Sequence, residues 1–457
     1  MSSLFGTLWT AKSALFANQL SLQTASNNVA NAGTKGYSRQ RVDLAESVPE
    51  TLPFGQVGTG VTVDGVRRIR DQFLDQQYLR AERSRAETEA QHGTWAQIEA
   101  ILGEPSDTGL QADMDRLFAS LQDLASYPTD LTTKRTVLEE AQVLTGNFNR
   151  LDADLDALTR NLESEIRDRV EEANGILQEL SDLHRQIQVV TASGQSPNAL
   201  LDQRDLLLDN LTALIGVTRF IREDGTVVVT LAGGGGVILE GVNAATLGTQ
   251  YAAATDSYDF TLNGIVVTPA GGKITGLLDS RNDPTGYVKY ARTQLDTLAA
   301  TLAAEFNRIQ GLNAFFTGST ARTLAVNPEL LARPELLAAG YPDPATGIVG
   351  GADNRAALDM VAIREATLLN GGTATLQEFY AATVGVVGAR TAATANQAES
   401  QDLVVKTIQN QREMISGVSI DEEMTDLVRF QRAFEASSRV IRVVDELLST
   451  VVNELIV

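Results

Sequence analysis

Apolar residues near the end of the chain recur in steps of three and four: Leu427, Phe430, Phe434, Ser437, Ile441, Val444, Leu448, Val451 and Leu455, with Ser437 the single polar member. Alternating steps of three and four trace the seam of a coiled coil, a narrow stripe that meets a partner helix. Neither Pro nor Gly falls between 418 and 457. Ser419 with Glu422 three residues later predicts a capping box, and Asp421, Glu422 and Glu423 place negative charge on the positive end of the helix dipole. A helix from there to Leu455 would be about 55 Å long. At the other end Met1, Leu8, Leu15, Leu22 and Val29 recur every seventh residue, with Leu4, Ala11, Asn18 and Ala25 between them. This predicts a second seam helix whose small and polar members lower stability and set register. Asn31-Ala32-Gly33 should end it. A single helix of this kind ordinarily belongs to a globular core. Two, at opposite termini and both with narrow seams, predict terminal helices that pair with each other and with neighbouring subunits.

The middle of the chain reads as long helices around one β-rich stretch. Residues 36–70, where Gly55, Gly58, Gly60 and Gly65 punctuate a valine-rich run, predict short extended segments or a hairpin. Helices are predicted over 71–102, stopped by Gly103-Glu104-Pro105, and over 110–126. The longest apolar periodicity, from Leu144 to Val190, predicts a helix starting near Asp130 and running about 90 Å. Ser193 to Pro197 ends it, and another helix follows to about Ile215. From 216 to 274 valine-rich runs are separated by Asp224-Gly225, Gly233 to Gly236 and Asn263-Gly264, which are hairpin signals. One small β domain is expected there. Helix resumes from about Thr275 to Gln310, interrupted in promise by Asp283-Pro284 and Gly286. Residues 311–351 should be irregular with short helical pieces near 328–339, and 353–369 and 375–415 should be helical. The fold class is therefore mainly α with a small inserted β domain: an elongated, multi-domain chain with long helices and paired, coiled-coil-like termini.

Charge and composition narrow the partners. The formal charge of −21 disfavours nucleic acid, whose phosphates need a basic surface, and anionic membranes. No cysteine is present, so neither disulfides nor thiolate metal sites are possible. The chain starts without the basic segment and apolar block of a secretory signal, and no run approaches the length of a membrane span.

Residues in chemically suggestive patterns are few. His92 and His184 each sit alone in a predicted helix, where a histidine is most often a surface or satisfied residue. No Gly-x-Ser-x-Gly elbow is present. Gly233 to Gly236 lacks the Lys-Ser/Thr and the following helix of a phosphate loop, and reads as a turn. Asp152, Asp154 and Asp156 mimic the start of a calcium loop but lie within a helical pattern without the turn glycine, so a solvated helix face is expected. A glycosidase-like carboxylate pair is not marked by any feature. No catalytic residue, metal site or cofactor is expected.

Two terminal runs carry a resemblance. Ser26-Asn27-Asn28-Val29-Ala30-Asn31-Ala32-Gly33-Thr34-Lys35-Gly36-Tyr37-Ser38-Arg39-Gln40 resembles the N-terminal signature of bacterial flagellar rod, hook and hook-associated proteins. Ser416 to Met424, followed by Arg429-Phe430-Gln431-Arg432-Ala433-Phe434, resembles the C-terminal one. Gly36-Tyr37-Ser38-Arg39-Gln40 and the internal run Leu200-Leu201-Asp202-Gln203-Arg204-Asp205-Leu206-Leu207 resemble the hook-associated branch, as does Gly271 to Arg281. The resemblance implies a structural assembly protein at the junction of hook and filament. It implies an inner tube domain from 1–35 and 418–457, a long-helix domain from 36–215 and 275–417, and an outer β domain at 216–274, shorter than in many relatives. The implied partners are identical subunits, the hook protein, the next hook-associated protein, the flagellar export apparatus and a cytoplasmic chaperone that grips the C-terminal helix. The implied location is outside the cell, reached without a cleaved signal. The seam residues expected to carry assembly are Leu8, Leu15, Leu22, Val29, Leu427, Phe430, Phe434, Ile441, Val444, Leu448, Val451 and Leu455. Rival readings are a hook or distal-rod subunit, a secreted enzyme on an axial scaffold, and a free coiled-coil adaptor.

Overall fold

The computed structural model describes residues 2–52, 55–222, 226–342 and 349–455. Eleven α-helices are found among them. They are α1 (Ser2–Ala30), α2 (Gln72–Leu102), α3 (Leu110–Ser126), α4 (Leu131–Ala192), α5 (Asn198–Leu214), α6 (Lys273–Asn282), α7 (Tyr287–Gln310), α8 (Pro328–Ala332), α9 (Arg355–Ala362), α10 (Leu376–Ser416) and α11 (Ile420–Leu455). The mainly helical class is as expected. The chain forms two compact units: residues 1–84, 172–246 and 401–457 make the first, 85–171 and 247–400 the second. Helices α2, α4 and α10 contribute residues to both.

In the first unit α1 packs along α11, and α1 also meets strands β1 (Gln40–Glu46) and β4 (Val61–Arg68). These two strands pair antiparallel from Gln40 opposite Arg68 to Glu46 opposite Val61, with a bulge at Asp43/Leu44. Nested between them is the hairpin of β2 (Glu50–Leu52) and β3 (Gly55–Val57). A second sheet holds β5 (Val217–Ile221), β6 (Val227–Leu231), β7 (Val237–Glu240) and β8 (Asn243–Ala244) in that order. Its Asp224-Gly225 turn lies outside the described residues, as does Met1 of the N-terminal heptad.

The second unit has a conventional core. Leu110, Met114, Leu117, Phe118 and Leu121 of α3 are buried with Leu144, Phe148, Leu151 and Leu155 of α4 and Leu295, Leu298, Leu302 and Phe306 of α7. The Phe306 ring meets Phe315 edge-on at 5.0 Å and Phe316 at 5.4 Å, so the irregular segment after α7 is anchored by its aromatics. Strands β9 (Leu247–Ala252), β10 (Ser257–Leu262) and β11 (Ile265–Val266) form a three-stranded meander. Its Asn263-Gly264 turn has φ of 51° and 80°, the left-handed pair that a tight hairpin needs. Strands β12 (Phe316–Thr317) and β13 (Ala325–Val326) pair in the same unit.

Three elements depart from expectation. The β-rich stretch 216–274 is two separate sheets, one in each unit, and not one small domain. Hairpin signals fix local pairing but not which sheet a strand joins. The helix expected over 275–310 is broken into α6 and α7 at Pro284, where Asp283 turns its carboxylate onto the Thr285 amide. The helix expected over 353–369 stops at Ala362, and Leu369 bridges to Ala374 instead.

Candidate functional site

The terminal helices α1 and α11 pack against each other, and the expected seam positions are only partly covered. Leu427, Phe430, Phe434, Ile441, Leu448 and Val451 of α11 are half-buried and Val444 is buried. Ser437, the polar member, donates its hydroxyl to the Ala433 carbonyl one turn back, which satisfies it within the helix. Leu455 ends α11, and its side chain lies outside the described residues. On α1, Leu8, Leu15, Leu22 and Val29 are half-buried while Ala11 and Ala25 between them are buried. A second covered face, Ala17, Ser21, Thr24 and Asn28, follows helical spacing. Its small side chains let the strands approach closely. A third face stays open: Phe5 is 49 %, Trp9 65 % and Phe16 61 % exposed. On α11, Val440, Val443 and Leu447 form a similar open stripe.

At the base of this pair the three signature runs converge. Asn28, 1 % exposed, is the hub. Its Nδ2 donates to the Gln40 carbonyl and to Glu423 Oε2, and its Oδ1 accepts from the Gln40 amide and the Tyr37 hydroxyl. All four hydrogen-bonding positions of the amide are used. Asn27 donates to the same Tyr37 oxygen, and Asn31 folds back on Asn27. Gly36 holds φ at +83°, a left-handed turn that brings its backbone against Leu206 of α5. Burial, reinforced by the Asp202 and Glu423 carboxylates, pushes the Tyr37 phenol up to about 12. Arg39 then reaches α11: Nε donates to Glu423 Oε1 at 2.6 Å, Nη1 to Glu422 Oε2 at 2.7 Å, and its backbone amide to the Ser416 carbonyl at the end of α10. The expected capping box at Ser419 is thereby replaced. Glu422 turns to Arg39 instead of back to its own helix, because a guanidinium is the stronger partner.

The internal run joins on the other side. Ser38 donates its hydroxyl to Asp202 at 2.6 Å and its amide to the same carboxylate. Asp205, 3 % exposed, accepts from Arg204 and Arg219 on one oxygen and from Arg68 and Arg70 on the other. Burial alone would raise this carboxyl, but four guanidiniums hold it far below the usual carboxylate range. Arg204 is drawn below its ordinary value by burial, although Asp205 opposes the change. Gln203 is exposed and stands outside this network. Arg412 near the end of α10 pairs with Asp75 of α2 at 3.0 Å and Asp209 of α5 at 3.1 Å, and its guanidinium lies 4.3 Å from the Tyr78 ring centre. Asp209 is pushed up to about 6 by burial, with Arg412 opposing.

Arg68, Arg70, Asp75, Asp209, Arg219 and Arg412 were not singled out from the sequence. Their partners lie in other segments, so no local spacing marks them. The remaining candidates play other parts. His184 is buried with Nδ1 2.7 Å from the Gly241 carbonyl. Asp152 and Asp156 are ion-paired with Arg292 and Arg322, and Asp154 with Arg150. Among the described residues no group of three or more His, Cys, Asp or Glu is arranged to hold a metal ion, and no helix is long and apolar enough to cross a membrane.

The two ends define a class. Residues 8–37 match the family described as flagella basal body rod protein, and residues 409–455 the C-terminal family of flagellar basal body rod FlgEFG proteins. The chain is thus a flagellar axial-type structural protein, a part of the bacterial flagellum. Residues 95–324 match the helical domain of flagellar hook-associated protein FlgK, and the chain belongs to that flagellar hook-associated family. It is 29 % identical to flagellar hook-associated protein 1 of Bacillus subtilis, over 99 % of both chains, and 25 % identical to that of Escherichia coli, over 99 % of this chain and 100 % of the relative. The latter alignment runs over 556 positions, so the relative carries segments that this chain lacks. The fold is similar to that of the flagellar hook junction protein FlgK from Burkholderia pseudomallei, with a TM-score of 0.63 at 16 % identity, covering 76 % of this chain and 100 % of that one.

Proposed function

We propose that this chain is a junction subunit between hook and filament, and that its terminal helices are the elements that polymerise. The carrying observation is the pair of open apolar faces, Phe5, Trp9 and Phe16 on α1 and Val440, Val443 and Leu447 on α11, beside a seam that one intramolecular partner covers only in part. A half-covered seam gains apolar burial when neighbours arrive. In this reading 1–35 and 418–457 form the inner tube domain, and Leu8, Leu15, Leu22, Val29 and the α11 seam pack within and between subunits. The clamp of Asn28, Arg39 and Glu423 sets the register of the two helices before assembly. Identical subunits, the hook protein and the next hook-associated protein are the axial neighbours. The chain leaves the cell unfolded through the flagellar export apparatus. A cytoplasmic chaperone covers the α11 seam beforehand, as a helix held in a groove. The test is incorporation: Ile441→Asp should be exported but absent from purified hook–filament junctions. Normal incorporation of that variant would rule out the seam as the assembling element.

A further inference from the structure

We propose that the arginine-lined cleft beside α5 in the first unit binds a small divalent oxyanion of the phosphate or sulfate type. The cleft has a volume of about 480 Å³, and Arg68, Arg70, Arg204 and Arg219 line it with Asp75 and Asp205. Each of these four arginine side chains is largely buried, with exposures of 12, 14, 7 and 11 %. Asp202 adds one carboxylate on Arg68. Arg412 and Asp209, joined to Asp75, cancel each other. One positive charge is left over in a chain whose total is −21.

The donors exceed the acceptors by more than the charges do. A guanidinium carries five N–H groups and a carboxylate about four acceptor positions. Four guanidiniums share three carboxylates, and Asp205 alone serves all four. Arg219 approaches Asp75 only to 4.0 Å. A tetrahedral dianion supplies several oxygens to clustered arginines at once and offsets their mutual repulsion, which a water molecule cannot do. The rim fits entry from solvent: Thr191, Gln195 and Ser196, all exposed, form the lip where α4 ends and α5 begins.

The test is calorimetric titration of the full chain with sodium phosphate, sodium sulfate and sodium acetate, at ionic strength held constant with sodium chloride. Phosphate and sulfate should each saturate at one per chain with Kd on the order of 1 mM, and acetate at least tenfold more weakly. Ser196→Glu sets a carboxylate at the lip and should weaken phosphate at least tenfold with the circular dichroism unchanged. Arg219→Gln should do the same if it folds, and Ser196→Glu decides the matter if it does not. No saturable heat with the folded wild type overturns the site. So does a Ser196→Glu variant that binds phosphate as the wild type does. Equal affinity for acetate overturns its assignment to dianions.

Discussion

Arg39 Nε donates to Glu423 Oε1 at 2.6 Å, from the segment after the first helix to the first turn of the last. The Glu423 side chain is 3 % and that of Arg39 22 % exposed. Glu423 also accepts from Asn28, so one carboxylate joins both parts of the N-terminal signature to α11. Removing one partner of a buried pair leaves the other charge unpaired, which costs about 3–5 kcal/mol. Arg39→Ala is therefore expected to destabilise the first unit by an amount near the lower end of that range. Denaturant unfolding measures it, and hydrogen exchange should show α1 and α11 losing protection together. A loss confined to α1 would contradict the shared clamp.

Tyr37→Phe removes one hydroxyl that donates to Asn28 and accepts from Asn27. The cost should be about 1–2 kcal/mol, that of leaving one acceptor lone pair of a buried amide unmade. Chemical denaturation of the two proteins side by side reads it. An effect below a few tenths would mean that Asn28 is held by Gln40 and Glu423 alone.

Asp205 and Asp209 predict opposite limbs in a stability–pH profile. The Asp205 carboxyl lies lower in the folded chain than in the unfolded one, so its contribution is present above pH ~4 and is lost as the pH falls below that. The Asp209 carboxyl is raised to about 6, so its contribution is present below pH ~4 and is lost as the pH rises through about 6. Asp209→Asn should flatten the upper limb, a change of order 2 kcal/mol between pH 4 and 7, and leave the acid limb in place. An unchanged upper limb assigns it to another group.

Limited proteolysis tests how far the clamp protects the ends. Cuts should concentrate in the first half of α1 and the last third of α11, where only the half-buried seam holds the chain. Fragments should retain Asn28 to Arg39 and the start of α11. Mass spectrometry of the stable core identifies the cut sites. Early cleavage between Asn28 and Arg39 would show that the clamp does not order this segment.

Much was legible from local pattern. The 3–4 seam of α11 and the heptads of α1 are repeats of one chain with itself, so spacing alone reveals them. The ends of α3 at Leu110 and Ser126 follow from Gly109 before it and Tyr127-Pro128 after it. Asn263-Gly264 forces its turn through positive φ at both positions. The signature residues were recognised as a set, yet their spacing did not say what they touch.

What the amino-acid sequence determined by itself is this local order: which segments are helix, where turns fall, and which faces are apolar. These are set by interactions among residues a few positions apart, and each segment carries its own signal. The tertiary structure alone decided the clamp and the arginine cluster. Asn28 and Glu423 are 395 residues apart, Ser38 and Asp202 are 164 apart, and Arg68 and Asp202 are 134 apart. Such charges read as solvated surface until folding strips them of water, and burial then makes every carboxylate seek the guanidiniums that the other segments bring.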